Sequence, residues 1–493
     1  MTSEIDNITQ QRIEKMQHFR DRGIDPYPPR YCRTHAISQA IAVLMQQESD
    51  TEVQPANLSL AGRIMSNRNM GKTTFMDIKD DSGKMQLYFR CDTLGEEIYS
   101  YLKDLDVGDI IGVNGGIFRT HSGEPTLRAS GFTLLSKALR PLPEKWHGLV
   151  DIEKRYRQRY LDLISNDEIK NIFRTRSKIT ATLRCFMDKN GFLEVDTPVL
   201  QPSAGGAMAK PFITHHNSLN RDFYLRIATE LYLKRIIIGG FDKVYEIGRI
   251  FRNEGIDFKH NPEFTMMEAY EAYADYEKMM ELVEQMFLFI CQETTGGTSV
   301  NFSNDVLNFS PPWPRITLRE EIMKYSGIDF NEYPDAVSLR KQMSNMGMPV
   351  DESKGRGKLI DELTSKFVEP HLVQPTFLLD YPIELSPLAK RKPGNDQLVE
   401  RFEAFAGGME IANSFTELND PLEQRARFSQ QQKAREMGDE EAELPDEDFL
   451  LAMEHGMPPT GGLGVGIDRL IMLITNQHSL REIILFPQLK TQE

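Results

Sequence analysis

Residues suited to chemistry concentrate in one stretch, FRNEGIDFKHNPEFTMMEAY at 251–270. Arg252, Glu254, His260, Asn261, Glu263 and Glu268 lie on or between two apolar-aromatic runs, VYEIGRIF and FTMMEAY, that read as strands. Side chains alternate along a strand, so counting by twos from Glu246 puts Gly248, Ile250, Arg252 and Glu254 on one face. Phe264, Met266, Glu268 and Tyr270 share a face of the second run. If the runs pair antiparallel, one sheet face gathers a guanidinium, carboxylates, a phenol and an aromatic ring. Charges at that density are costly to bury unless something pairs them. This stretch alone leaves two readings open: an ion-pair network at a domain or subunit interface, or a floor that binds charged ligands.

Two further segments carry candidate chemistry. MDKNGFLEVDTPVL at 187–200 reads as a helix closed by Gly191 and then an extended strand interrupted at Pro198. GMPPTGGLGVGIDRLIML at 456–473 places a glycine-rich strand before an apolar helix, with Arg469 at the junction. A dinucleotide fingerprint needs G-x-G-x-x-G after a hydrophobic strand. Here the spacing is G-x-G-x-G and Pro458 and Pro459 precede it, so that reading fails.

At 493 residues the chain is too long for one ordinary core, and two or three domains are expected. With 40% hydrophobic and 27% charged residues it has the balance of a soluble globular protein. No apolar run approaches the ~20 residues that span a membrane, and the N-terminus does not read as a secretory signal. Cys32, Cys91, Cys185 and Cys291 lie far apart with no CxxC pair, which argues against a disulfide framework or structural zinc and makes a cytoplasmic location the expectation. A net charge of −15 opposes nucleic-acid binding in bulk, yet acids and bases nearly cancel between 56 and 145, so a local face could still take a polyanion.

The elements that must position these residues follow from the periodicity. A helix is expected over 7–23, ended by GIDPYPPR, and a second over 37–47. Five period-two runs then follow from Leu58 to Ser136 with turn signals at NMGK, DDSG and HSGEP. One helical interlude, GEEIYSYLKDL, interrupts them. That is the strand count of an oligonucleotide-binding (OB) barrel. ALRPLPEKWHG at 138–148 reads as a proline-bearing hinge, and the acidic run at 436–449 as a solvated loop or helix start. The expected division is a helical extension at 1–56, a barrel at 57–145 and one large α+β domain at 146–493.

The three motif segments, in this order and behind a barrel, resemble motifs 1, 2 and 3 of the class II aminoacyl-tRNA synthetases that charge aspartate, asparagine or lysine. They fall at about 184–200, 244–273 and 460–473. RDFYLRIATELYLKR, YPIELSPLAK and GGMEIANSFTELNDP extend the likeness to the bacterial lysyl-tRNA synthetases, over nearly the whole chain. The resemblance implies an antiparallel catalytic sheet flanked by helices, a homodimer through motif 1, and activation of L-lysine by ATP for transfer to tRNA(Lys). By position it implies that Arg252 bridges the amino-acid carboxylate and the α-phosphate, with Arg252 and Arg469 as the catalytic arginines. Glu254 and Asn261 would read adenine, Phe264 and Arg469 would cover its two faces, and His260 would reach the outer phosphates. Glu403 and Glu410 would hold Mg2+, with Glu410 also at the ATP site. The competing reading of Glu403 is a helix-surface acid.

Lysine is an aliphatic rod with an ammonium at each end and one carboxylate, so its pocket needs separate acidic groups. Asn413, Phe415 and Glu417 share a face by period two. Phe415 would line the methylenes and Glu417, helped by Tyr270, would pair the ε-ammonium. Glu230 and Glu268 would take the α-amino end, with Gly206 close by. An aspartate-charging relative would need basic groups here. In the barrel, Phe75 would stack an anticodon base while Arg68, Gln86 and Glu124 hydrogen-bond base edges; the competing reading of Phe75 is barrel core. Two positions depart from the family pattern: Lys259 where arginine is usual and Thr229 where proline is expected. Rival functions are a ligase that adds lysine-like amino acids to a protein, and a non-catalytic nucleic-acid-binding module. The segment 317–373 reads as an insertion between motifs 2 and 3 with no assigned role.

Overall fold

The computed structural model describes residues 2–50, 57–143, 151–352, 354–436 and 445–490. Part of the expected hinge (144–148) and of the acidic run (437–444) lies outside them. Contacts divide the chain into two compact units, Met1–Leu149 and Val150–Glu493.

In the first unit, helices α1 (Thr2–Asp21) and α2 (Ile37–Ser49) precede strands β1 (Asn57–Asn69), β2 (Thr73–Lys79), β3 (Lys84–Arg90), β4 (Ile110–Arg119) and β5 (Pro125–Ser136). The strands close a barrel in the order β1-β2-β3-β5-β4. All pairs are antiparallel except β3 with β5. Period two fills it: Met76 and Ile78, Met85 and Leu87, Ile111 and Val113 point inward. Phe19, Ile37, Ala40 and Leu44 of the lead helices join the same core, so the extension and the barrel form one unit. Lys137, fully buried, donates to Asp106 at 2.6 Å and Asp109 at 2.8 Å.

The second unit is built on an eight-stranded sheet. Its elements are helix α3 (Asp167–Lys189), β6 (Leu193–Glu194), α4 (Glu230–Ile238), β7 (Lys243–Phe251), β8 (Glu263–Ala272), α5 (Tyr276–Thr295), β9 (Arg315–Thr317), α6 (Arg356–Leu363), β10 (Thr376–Leu379), β11 (Arg401–Ala406), β12 (Met409–Thr416), α7 (Glu447–Glu454), β13 (Thr460–Gly466) and α8 (Ile467–Thr475). The strand order is β9-β10-β11-β12-β13-β8-β7-β6. The interior pairs are antiparallel, while the outermost pairs, β9 with β10 and β7 with β6, are parallel. One face packs on α3, α5 and α8 through Met267, Ala269, Leu463 and Val465. The 317–373 segment forms a separate core around Leu318, Phe330, Leu339, Leu359 and Ile360, seated on Leu378 and Phe405 of the sheet.

Candidate active site

Register places the site. Across the middle of the sheet, Glu268 lies opposite Gly464 and Tyr270 opposite Gly462; Gly464 in turn faces Asn413, and Gly462 faces Phe415. Glu403 pairs with Asn413, and Arg401 with Phe415. Side chains directly opposite share a face, so these residues form one continuous floor. The glycines on β13 make it a trough: a Cβ on Gly462 would collide with the Glu417 carboxylate and lie 2.7 Å from the Tyr270 ring. The G-x-G-x-G spacing is thus the period of a strand with one bare face. Above the floor is a cavity of about 1010 Å3.

At one end, Glu230, Glu268, Tyr270 and Glu417 are all buried and all line the cavity. Glu268 accepts from the Thr229 backbone N–H at 3.1 Å and from the Tyr270 hydroxyl at 3.3 Å. Burial, reinforced by the charge of Glu230, pushes the Glu268 carboxyl up to about 7. Burial also raises Glu230 and Glu417, against the opposing pull of Lys234 on α4. The ammonium of Lys234 sits 2.5 Å from Glu230 Oε1 and ion-pairs with Glu417 Oε2. Gly206 also lines this end, with φ +86°, a conformation that favours glycine.

Toward the middle, the alternation reaches only Ile250. β7 ends at Phe251, so Arg252 and Glu254 stand on the following loop rather than on the strand face expected for them. The chain turns there because Arg252 N–H donates to Pro262 at 2.9 Å and Asn253 N–H to Lys210 at 2.7 Å. Arg252 still lines the cavity, its guanidinium 5.2 Å from the centre of the Phe264 ring and its Nε buried without a hydrogen-bond partner among the described residues. Glu254 and His260 line the cavity as well; His260 shares a 2.8 Å contact with Asp257. Asn261 is buried and donates to the Glu263 carbonyl at 2.6 Å. Asn261, Phe264, Glu410 and Arg469 are not part of the cavity wall. Lys259 is half-buried beside the Phe258 ring. Glu246 serves structure instead: it binds Arg226 and the Thr197 backbone N–H, tying motif 1 to motif 2.

Glu403 lies on strand β11, which overturns its reading as a helix-surface acid. It accepts from Arg401 at 2.6 Å and from Tyr381 at 2.7 Å. Burial, with the charge of Glu410 adding to it and Arg401 opposing, pushes its carboxyl up to about 7. Glu410 binds Arg469 at 2.9 Å. Two carboxylates whose charges repel, with hard oxygen donors, suit a divalent cation such as Mg2+. Among the described residues no three acidic, histidine or cysteine side chains form a metal cluster, so further ligands would have to be substrate oxygens or water.

On the barrel, Phe75 is half-buried while Met76 beside it is fully buried, so Phe75 belongs to the outer face and not the core. Arg68, Phe75, Tyr88 and Arg128 form a cross-strand row. Phe75 and Tyr88 lie 4.9 Å apart, Phe118 is 6.3 Å from Tyr88, and Arg128 sits 4.9 Å over Phe118. Gln86 accepts from Thr126 at 3.0 Å on the same face, and Glu124 is exposed at the β4–β5 turn.

A family model described as "tRNA synthetases class II (D, K and N)" matches residues 151–490, and an "OB-fold nucleic acid binding domain" model matches 58–135. The chain belongs to the class II tRNA synthetases. Among its relatives, a lysine–tRNA ligase of Dehalococcoides mccartyi is 57% identical over 487 residues, covering 99% of this chain and 98% of the relative. Lysine–tRNA ligases of Moorella thermoacetica (52%; 98% and 97% covered) and Roseiflexus castenholzii (51%; 99% and 100% covered) are similar throughout.

Several residues of this synthetase escaped the sequence reading. Lys234 was not singled out, although its apolar neighbours in ELYLKRIII were a signal that it is buried. Arg401 and Tyr381, which hold Glu403, carried no motif. Lys358, Asp361 and Glu362 of the insertion line the cavity through α6, a placement that only the tertiary packing creates. Tyr88, Phe118 and Arg128 are legible in retrospect as outward positions of period-two strands.

Proposed function

We propose that the protein activates L-lysine with ATP to lysyl-adenylate and transfers lysine to the 3′ end of tRNA(Lys). The observation that carries this reading is the enclosed group of Glu230, Glu268, Glu417 and Tyr270 beside Arg252. It suits a rod with two ammonium groups and one carboxylate, and an acidic amino acid would be repelled. The lysine carboxylate oxygen forms a bond to the α-phosphorus of ATP and pyrophosphate leaves. The terminal ribose hydroxyl of tRNA then attacks the carbonyl carbon and AMP leaves.

Arg252 holds the substrate carboxylate and the α-phosphate with one planar guanidinium, and its fixed charge offsets the charge that builds up on the phosphoryl oxygens. Glu254 and Asn261 hydrogen-bond the adenine edge, Phe264 and Arg469 take its faces, and His260 meets the outer phosphates. Glu417 and Tyr270 bind the ε-ammonium, Glu230, Glu268 and the Gly206 backbone the α-amino end, and Phe415 and Asn413 the methylenes. Mg2+ at Glu403 and Glu410 would neutralise phosphate charge when bound. Phe75, Arg68, Gln86 and Glu124, with Tyr88, hold anticodon bases; base stacking of this kind is worth ~1–3 kcal/mol per base. Leu193, Val199 and Leu200 of motif 1 are exposed apolar side chains, which supports a homodimer through that segment. No helix of the described residues is long and apolar enough to cross a membrane, and we place the enzyme in the cytoplasm.

The test is lysine-dependent ATP–pyrophosphate exchange, then charging of bulk tRNA, with light scattering for mass. Exchange without tRNA charging would favour the protein ligase, no exchange would leave only a binding module, and a monomeric mass would remove the dimer.

A further inference from the structure

Lys234 is a buried cation that the proposed reaction does not use. It is wholly inaccessible, it does not line the cavity, and it stands behind two residues that do, Glu230 and Glu417. Its ammonium also lies 5.5 Å from the Phe415 ring and 5.9 Å from that of Phe449 on α7. Burial by itself lowers its pKa, but the charges of Glu230 and Glu417 outweigh burial and raise it. Glu417 is 1% exposed and neither carboxylate oxygen accepts a hydrogen bond among the described residues; Oε2 ion-pairs with Lys234, while Oε1 borders Gly462 at the cavity.

The geometry points to Lys234 as the positioning residue of the amino-acid pocket: it fixes Glu417 and Glu230 from behind, turns Glu417 Oε1 toward the substrate, and sets the pocket's charge. This rests on the lysine reading of the site. When all three are ionised, Glu230, Glu268 and Glu417 against one ammonium leave two negative charges, the number that the two ammonium groups of lysine neutralise; the substrate carboxylate goes to Arg252. Without Lys234, three buried carboxylates would crowd one end of the cavity, and at neutral pH they would keep protons rather than attract a cation. The other groups facing this cluster are Tyr270 on β8, Arg401 on β11 and Arg252 on its loop, and none of these ion-pairs with Glu417.

Lys234→Met and Lys234→Ala in the full-length enzyme test it, by exchange kinetics at varied lysine, varied ATP and varied pH. Lys234→Met should raise the lysine KM about 100-fold at neutral pH, as for a broken buried charge pair. The ATP KM should stay close to wild type, and the lysine defect should shrink as pH rises, because alkali ionises the carboxylates that have lost the pull of Lys234. Millimolar ethylammonium should lower the lysine KM of Lys234→Ala, and not that of Lys234→Met, whose side chain fills the space. A lysine KM near wild type in Lys234→Met overturns the inference. So does a defect that falls equally on ATP and lysine and does not change with pH, which is what general unfolding produces. If Lys234→Ala folds only with the amine present, exchange in that amine decides: recovered lysine saturation supports the inference and its absence overturns it. Wild-type exchange independent of lysine would instead overturn the lysine reading.

Discussion

Glu417→Gln perturbs the site at a buried carboxylate whose oxygens accept no hydrogen bond among the described residues and whose one close partner is the ion pair with Lys234. The side chain is 1% exposed, Oε2 pairs with Lys234, and Oε1 borders the trough over Gly462. The amide keeps the shape and removes the charge that meets the ε-ammonium. Leaving a buried charge unpaired costs ~3–5 kcal/mol, and at ~1.4 kcal/mol per decade that is a roughly 100- to 4000-fold loss in kcat/KM for lysine. Arg252, Glu254 and His260 line other parts of the cavity, and the remaining groups proposed to bind ATP lie outside its wall, so ATP binding by calorimetry should be little changed. Lys234 keeps Glu230 as partner, so the variant should fold, with a lowered melting temperature. Lysine-dependent pyrophosphate exchange reads the loss. A lysine KM close to wild type would refute both the placement of the ε-ammonium and the charge argument behind it.

Gly462→Ala should damage lysine binding without touching the chemistry of any side chain, because its Cβ would meet the Glu417 carboxylate and the Tyr270 ring; overpacking costs ~1–3 kcal/mol, seen as a raised lysine KM and a lower melting temperature. Glu268 should make lysine binding release a proton. Its folded pKa of about 7 lies above the ~4.3 of an unfolded glutamate, so its contribution to the stability of the free enzyme is present at low pH and lost as pH rises to about 7. Lysine favours the ionised form, so its affinity should climb over the same window, and calorimetry at pH ~6 in buffers of different ionisation enthalpy should show proton release; heats independent of buffer would contradict it. Phe75→Ala and Tyr88→Ala should each lower kcat/KM for tRNA by about 5- to 150-fold at ~1–3 kcal/mol per stacked base, with amino-acid activation unchanged. Thr229→Pro deletes the N–H that supports Glu268; it should shift the pH dependence of lysine binding upward, whereas Thr229→Ala, which keeps the N–H, should shift it less.

How much of this was legible in the sequence follows from the range of each interaction. Period two is local, so it found the barrel strands, the β7–β8 hairpin and the shared face of Asn413, Phe415 and Glu417. It failed at Arg252 and Glu254, where the strand gives way to a turn held by Pro262 and Lys210, partners that no alternation rule encodes. The lead helices read as a separate extension because helical spacing says that a face is apolar and not what covers it; Phe19 and Leu44 are covered by the barrel. Glu403 read as ambiguous because a lone acid has no periodicity, and only Arg401 and Tyr381 across the fold define its role.

Thr229 and Lys234 show the same limit from the side of function. Resemblance marks Thr229 as a departure of unknown effect, yet its N–H reaches Glu268, a bond that the expected proline would lack. The threonine at the N-terminus of α4 therefore adds support to a carboxylate that burial drives toward its neutral form. Lys234 supports Glu230 and Glu417 in the same sense, with a full charge in place of a peptide dipole. Acidic residues in an enclosed pocket attract cations only while they stay ionised, and ionisation here depends on donors outside the cavity wall. Selectivity for a dication is thus set jointly by the acids that touch the substrate and by the donors behind them, and a change in either layer should register in the pH dependence of lysine binding before it registers in the fold.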